Sequence, residues 1–102
     1  MDFKDLASRL GIDDDDFIEL VELFVTTTLS DIAKIQKGVD DNSPADAAAA
    51  SHSIKGASGN LGFDDIFALS RDMEMQAKQG SLEKFDQYIG DLEKMLDTIK
   101  IP

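Results

Sequence analysis

No cysteine and no tryptophan occur in the 102 residues of this chain, which has one histidine, one tyrosine and two prolines. Without cysteine, disulfides, thiolate-bound zinc and thiol nucleophiles are excluded. The same lack fits a reducing, cytoplasmic setting. The prolines fall at Pro44 and Pro102, which leaves long stretches open to helix. Positive charge is scarce: 10 Lys and Arg face 21 Asp and Glu, a net charge of −11. A chain this acidic is repelled by nucleic acid and by anionic lipid, so proteins are the expected partners. No apolar run approaches the ~20 residues of a membrane span. The opening MDFKDLASRL lacks the basic-then-apolar pattern of a secretory signal. One acidic run, Asp13 to Asp16, suggests a calcium loop and fails as one. Counted from Asp13, Ile18 and Phe24 occupy the positions that need Gly and Glu. With one His and no Cys, no transition-metal site is expected.

Apolar residues make up 42% of the chain, enough to build one modest core, so residues 1–102 read as a single domain. The apolar residues recur at three and four throughout, with no strand-like alternation and no repeat. A short first helix carries Leu6 and Leu10 and stops at Gly11. A second opens at the acidic run and places Phe17, Leu20, Val21, Phe24, Ile32, Ile35 and Val39 on one stripe. Ser43, Pro44 and Asp46 form an N-terminal signal for a third, which runs to Asn60 or Leu61 ahead of Gly62. A fourth starts at Asp64 or Asp65 and closes at Gly80, and Ser81 caps a fifth with Leu82, Phe85, Ile89, Leu92 and Ile99 on its stripe. Short connections between long amphipathic helices predict an all-α fold, an antiparallel up-down-up-down four-helix bundle with a short extra N-terminal helix. Nothing in the sequence demands a dimer, and a monomer is expected.

The single histidine sits in ASHSIKGASGNLGF, among residues too small to cover it. At ~100° per residue, Ala47, Ala50, Ile54, Ala57 and Leu61 share the core face of the third helix. His52 points roughly 170° away from that stripe, beside Ala45, Ala48, Ala49, Lys55, Gly56 and Gly59. Each glycine costs the helix about 1 kcal/mol relative to alanine. In return a large partner surface can approach the ring and the backbone. Neutral imidazole is a nitrogen nucleophile near neutral pH, and attack on phosphorus gives a phosphohistidine. Lys55, one turn on, is placed to meet the phosphoryl oxygens. The chain has neither a P-loop nor a kinase glycine loop, so the phosphoryl group must come from one protein and go to another.

The segment HSIKGASGNLGF resembles the signature of the histidine phosphotransfer (HPt) domain of two-component phosphorelays. The matching residues are His52, Lys55, Gly56, Ala57, Ser58, Leu61 and Gly62. The segments LVELFVTTTLSDIAKIQKGVDD and IFALSRDMEMQAKQGSLEKF are similar to the family's flanking helices, so the likeness covers about residues 3 to 97. It implies a four-helix bundle whose exposed His52 accepts a phosphoryl group from a receiver-domain phosphoaspartate and passes it to the Asp of another receiver. It further implies Lys55 as the phosphoryl-stabilising cation and Gly56 as the small residue that opens the ring. On the next helix, Glu74 corresponds to a ring-orienting residue and Lys78 to a nearby base. Ala48, Ala49, Gly59, Leu6 and Leu10 are expected in the docking surface. The implied partners are response-regulator receiver domains and a sensor or hybrid histidine kinase. The receiver is expected to supply Mg²⁺, and this chain to bind no cofactor.

The reading is therefore of a phosphotransfer intermediate rather than an enzyme; a stand-alone protein is the simpler expectation, since the chain starts with Met and reads as one folding unit, and an excised module of a larger kinase is the alternative. A receiver-docking adaptor that carries no phosphate is the alternative, and a degenerate member of that kind would be expected to have lost the histidine. A phosphatase of receivers would need a residue positioning water, for which no separate constellation is visible.

Overall fold

The computed structural model describes residues 3–99, which form five helices and no strand. The single-domain reading spans 1–102, and its ends, 1–2 and 100–102, lie outside the described residues. The helices are α1 (Phe3–Leu10), α2 (Asp14–Asp40), α3 (Pro44–Leu61), α4 (Asp64–Lys78) and α5 (Phe85–Asp97).

Each of the first four helices ends by the same device. At the end of α3, Gly62 takes φ +85°, and the N–H of Phe63 turns back to the carbonyl of Ser58 at 2.9 Å. A left-handed residue there lets two amides satisfy carbonyls that the helix leaves open. Gly11 and Gly80 close α1 and α4 likewise, with Ile12 bonded to Ala7 and Ser81 to Gln76. The fourth closure uses Asn42, at φ 53°, with Ser43 N–H on the Gly38 carbonyl at 2.7 Å. The three glycines are the stops expected from the sequence; Asn42 is an addition.

Ser43 then starts α3 as expected: its hydroxyl accepts from the Asp46 N–H at 3.4 Å, with Pro44 in the first turn. Ser81 does not start α5. Its amide is committed to closing α4, a turn follows at residues 83–84, and α5 begins four residues after Ser81 at Phe85.

α3 lies between α2 and α4 and packs on both, most extensively on α4. Gly38 on α2 permits the first contact. A Cβ there would stand 3.0 Å from the Ala47 backbone nitrogen. Ser53 of α3 meets Asp31 of α2, so the two helices run antiparallel. On the other side His52 meets Glu74 and Gly59 meets Phe67, which sets α4 antiparallel to α3. Phe17, Val21, Ile35, Ile54, Met73, Phe85 and Leu92 are fully buried between the helices. The Phe24 and Phe63 rings add a tilted contact at 5.0 Å.

Three serines share that core. Ser51, Ser58 and Ser70 are completely buried, and each returns its hydroxyl to the carbonyl four residues back, at Ala47, Ile54 and Ile66. With the polar atom bonded inside the helix, a serine packs as a small residue and carries no unmet desolvation. Ser51 and Ser58 therefore rotate the buried stripe of α3 away from the sequence expectation. Ala47, Ala50 and Ile54 are buried as expected, while Ala57 and Leu61 are only half-buried. On α2 the buried run is Phe17, Val21, Phe24, Thr28, Ile32 and Ile35, with Thr28 completing the period. Leu20, assigned to that stripe from sequence, lies ~100° to one side of Val21 and is exposed.

Candidate functional site

The middle turn of α3 sets two side chains over the edge that faces α4. His52 and Lys55 are three residues apart and therefore one turn apart on the same side. The facing helix answers with Glu74, whose side chain is only 5% exposed, and with Lys78 one turn later. His52 Nδ1 lies 2.8 Å from Glu74 Oε2 and Lys55 Nζ 2.5 Å from Oε1. Lys78 Nζ reaches Oε2 at 3.2 Å. One buried carboxylate thus gathers three nitrogen groups.

The electrostatics decide the tautomer. The Lys55 ammonium holds the Glu74 carboxyl down to about 2, against the opposing effect of burial, with Lys78 and His52 adding to the depression. Glu74 is thus ionised at neutral pH and can only accept. Nδ1 of His52 must then be the donor, so that in the neutral ring Nε2 keeps its lone pair free. The imidazole side chain is 66% exposed. The ring is thus held at Nδ1 and open to solvent on its other side.

The small residues around the ring fall into two sets. Gly56 is exposed, and a Cβ there would meet nothing within 4 Å, so the crest of α3 beside the ring is bare. Ala49 is exposed as well. Gly59, expected in the docking surface, is exposed and also borders α4: a Cβ would stand 3.1 Å from the Phe67 ring. Its lack of a side chain lets the two helices come together. Ala48 was assigned to the same surface and is buried, 8% exposed, because it borders the Ala47 and Ser51 edge. Leu6 is also a core residue, packed where a Gly62 Cβ would lie 3.2 Å away, so it offers no docking face. Leu10, one turn later, is exposed.

Two further features went unrecognised in the sequence. On the opposite edge of α3, Ser53 donates to Asp31 of α2 at 2.9 Å, and Asp31 is 5% exposed. Lys34 is 3.9 Å from its other oxygen. An acid inside the apolar period of α2, one position before Ile32, was the available signal. Leu20 and Leu23 are exposed on α2. By helical phase Leu20 lies on the same edge as Asp31, the one turned toward α3, and Leu23 lies about 80° further out.

Among the described residues no three metal-ligating side chains come together, and no helix is long and apolar enough to cross a membrane.

The family model of the Hpt domain matches residues 19–101. The chain belongs to the Hpt domain family. Neither the curated proteins nor the solved structures gave a match. Hpt domains act in phosphorelays as phosphotransfer intermediates rather than kinases, interacting there with receiver domains and kinases. The match takes in α3 and α4, and hence all four members of the His52 cluster; α1 lies outside it.

Proposed function

We propose that this Hpt domain carries a phosphoryl group on His52, taken from a receiver-domain phosphoaspartate or a partner kinase and passed to the Asp of another receiver. The observation that supports this best is the exposed imidazole whose Nδ1 is tied to ionised Glu74 while Nε2 stays free.

In the proposed step, the Nε2 lone pair attacks phosphorus in line. The aspartyl O–P bond breaks and the carboxylate leaves with the electron pair. No proton need move, because Nδ1–H is already bonded to Glu74, which faces the positive charge that develops on the ring. Lys55 meets the phosphoryl oxygens, and positioning with charge neutralisation carries most of the rate. Transfer onward follows the same path in reverse. The receiver brings Mg²⁺ and the acidic pocket; this chain brings the nucleophile and the surface.

That surface, in this reading, is centred on His52, Ala49 and Gly56 and extends to exposed Leu20 and Leu23 on α2. The reading includes the antiparallel up-down-up-down arrangement of α2 to α5 with α1 as an accessory, one domain across the chain, a monomer, and a cytoplasmic setting.

The test is to mix the protein with a receiver labelled at its phosphoaspartate. Label on this chain that is acid-labile, alkali-stable and absent from His52→Gln is the expected result. Binding without label, across several receivers, would leave a docking adaptor as the better account.

A further inference from the structure

Glu74 holds more positive charge than its own charge requires. Lys55 alone would neutralise it, yet Lys78 is also within 3.2 Å, on the oxygen that accepts from His52. The two lysines differ in setting. Lys55 is 27% exposed and lies on α3, one turn from the ring, whereas Lys78 is 66% exposed and shares α4 with Glu74. In the resting site both ammonium groups rest on the same carboxylate.

Phosphorylation changes what each must do. The phosphoryl group brings a charge of about −2, and the ring becomes cationic once its lone pair is used. Lys55 cannot serve the phosphoryl oxygens and remain fully committed to Glu74. Were it the only lysine, its turn toward the incoming phosphoryl group, while the ring is still neutral, would leave a glutamate side chain that is 5% exposed without a counter-ion, a costly arrangement. We propose that Lys78 is the stand-in counter-ion. It keeps Glu74 ionised when Lys55 turns to the phosphoryl group, and so preserves the Nδ1–H bond through transfer. Lys78 is then a positioning residue: it acts through Glu74 and touches neither phosphorus nor the reacting nitrogen. With both lysines, the ring cation, Glu74 and the phosphoryl group counted, the loaded site is close to neutral. This inference rests on the phosphotransfer reading.

The test is a double-mutant cycle in single-turnover transfer from a phosphorylated receiver. Lys78→Met is expected to slow transfer roughly tenfold in the unaltered background. In a Glu74→Gln background it is expected to matter less than about twofold, because a neutral amide needs no counter-ion. Lys78→Arg should restore most of the rate. A separate readout is the ³¹P shift of the loaded protein, which in Lys78→Met should move toward the value of Lys55→Met, since Lys55 stays on Glu74. A Lys78→Met defect of equal size in both backgrounds would mean that Lys78 acts directly on the phosphoryl group or the partner, and overturns the inference. So does a Lys78→Met protein with unaltered rate and ³¹P shift. Failure of the unaltered protein to take label overturns this inference together with the reading beneath it, and is recognised by needing no variant at all.

Discussion

The two edges of α3 use one device for two ends. On the α4 side a buried glutamate receives an imidazole 22 residues away in sequence; on the α2 side a buried aspartate receives a hydroxyl at the same separation. Glu74 and Asp31 are about equally hidden, at 4% and 5% exposure. What differs is the company. Glu74 has two lysines within 3.2 Å, whereas Asp31 has a hydroxyl and one lysine at 3.9 Å. A buried acid with one neutral donor can fasten helices. A buried acid with surplus cation can also hold a reactive ring in one tautomer and supply charge to it.

The crest between the edges gives the largest effect. Gly56→Leu should leave the fold intact, since a Cβ there meets nothing, yet cover the ring and cut transfer by about a hundredfold or more. Gly56→Ala should bring a gain in stability of about 1 kcal/mol from helix propensity, read by urea unfolding. Normal transfer by Gly56→Leu would remove access as the reason for the glycine. On the α2 edge, Gly38→Ala should cost about 1–3 kcal/mol, because its Cβ would press on backbone rather than on a movable side chain.

How much of this was legible follows the same division. The sequence placed the ring on the open face because helical phase locates a residue relative to the core. It also read Gly11, Gly62 and Gly80 as stops, since a left-handed closure has a distinctive residue. It put Ala48 and Leu6 on the surface where the structure buries them, because phase alone cannot say how near the next helix comes. Glu74 was reached through family likeness, as no local pattern pairs residues on two helices. Asp31 went unread because a buried acid inside an amphipathic helix looks like any solvated charge until its partner on α3 is known. Ser51 and Ser58 escaped for a related reason: a hydroxyl bonded to its own backbone counts as polar in sequence and as small in packing.

Acid should separate the two edges next. Glu74 titrates near 2 in the folded protein, below its ordinary value of 4.5, so its ionised form stabilises the native state. That contribution is fully present above about pH 4.5 and is lost as the pH falls toward 2. It should amount to on the order of 2 kcal/mol. The difference in unfolding free energy between the unaltered protein and Glu74→Gln, followed from pH 6 to pH 2.5, should shrink by that amount. A constant difference would mean that the lysines do not hold the carboxylate as described. The smallest effect belongs to Ser53→Ala. It removes the donor from buried Asp31 and should cost about 1 kcal/mol in unfolding experiments, with transfer unchanged. A slowed transfer would show that the α2 edge also serves the ring.

The described residues span 42 × 18 × 16 Å, and His52 is the ninth of the eighteen residues of α3. If the ring is the only point of exchange, donor and acceptor must occupy the same patch of a narrow rod and cannot bridge across it. Each visit has to end before the next can begin. Throughput then depends on how quickly partners let go as much as on the chemical step, and a tighter complex would make a slower relay.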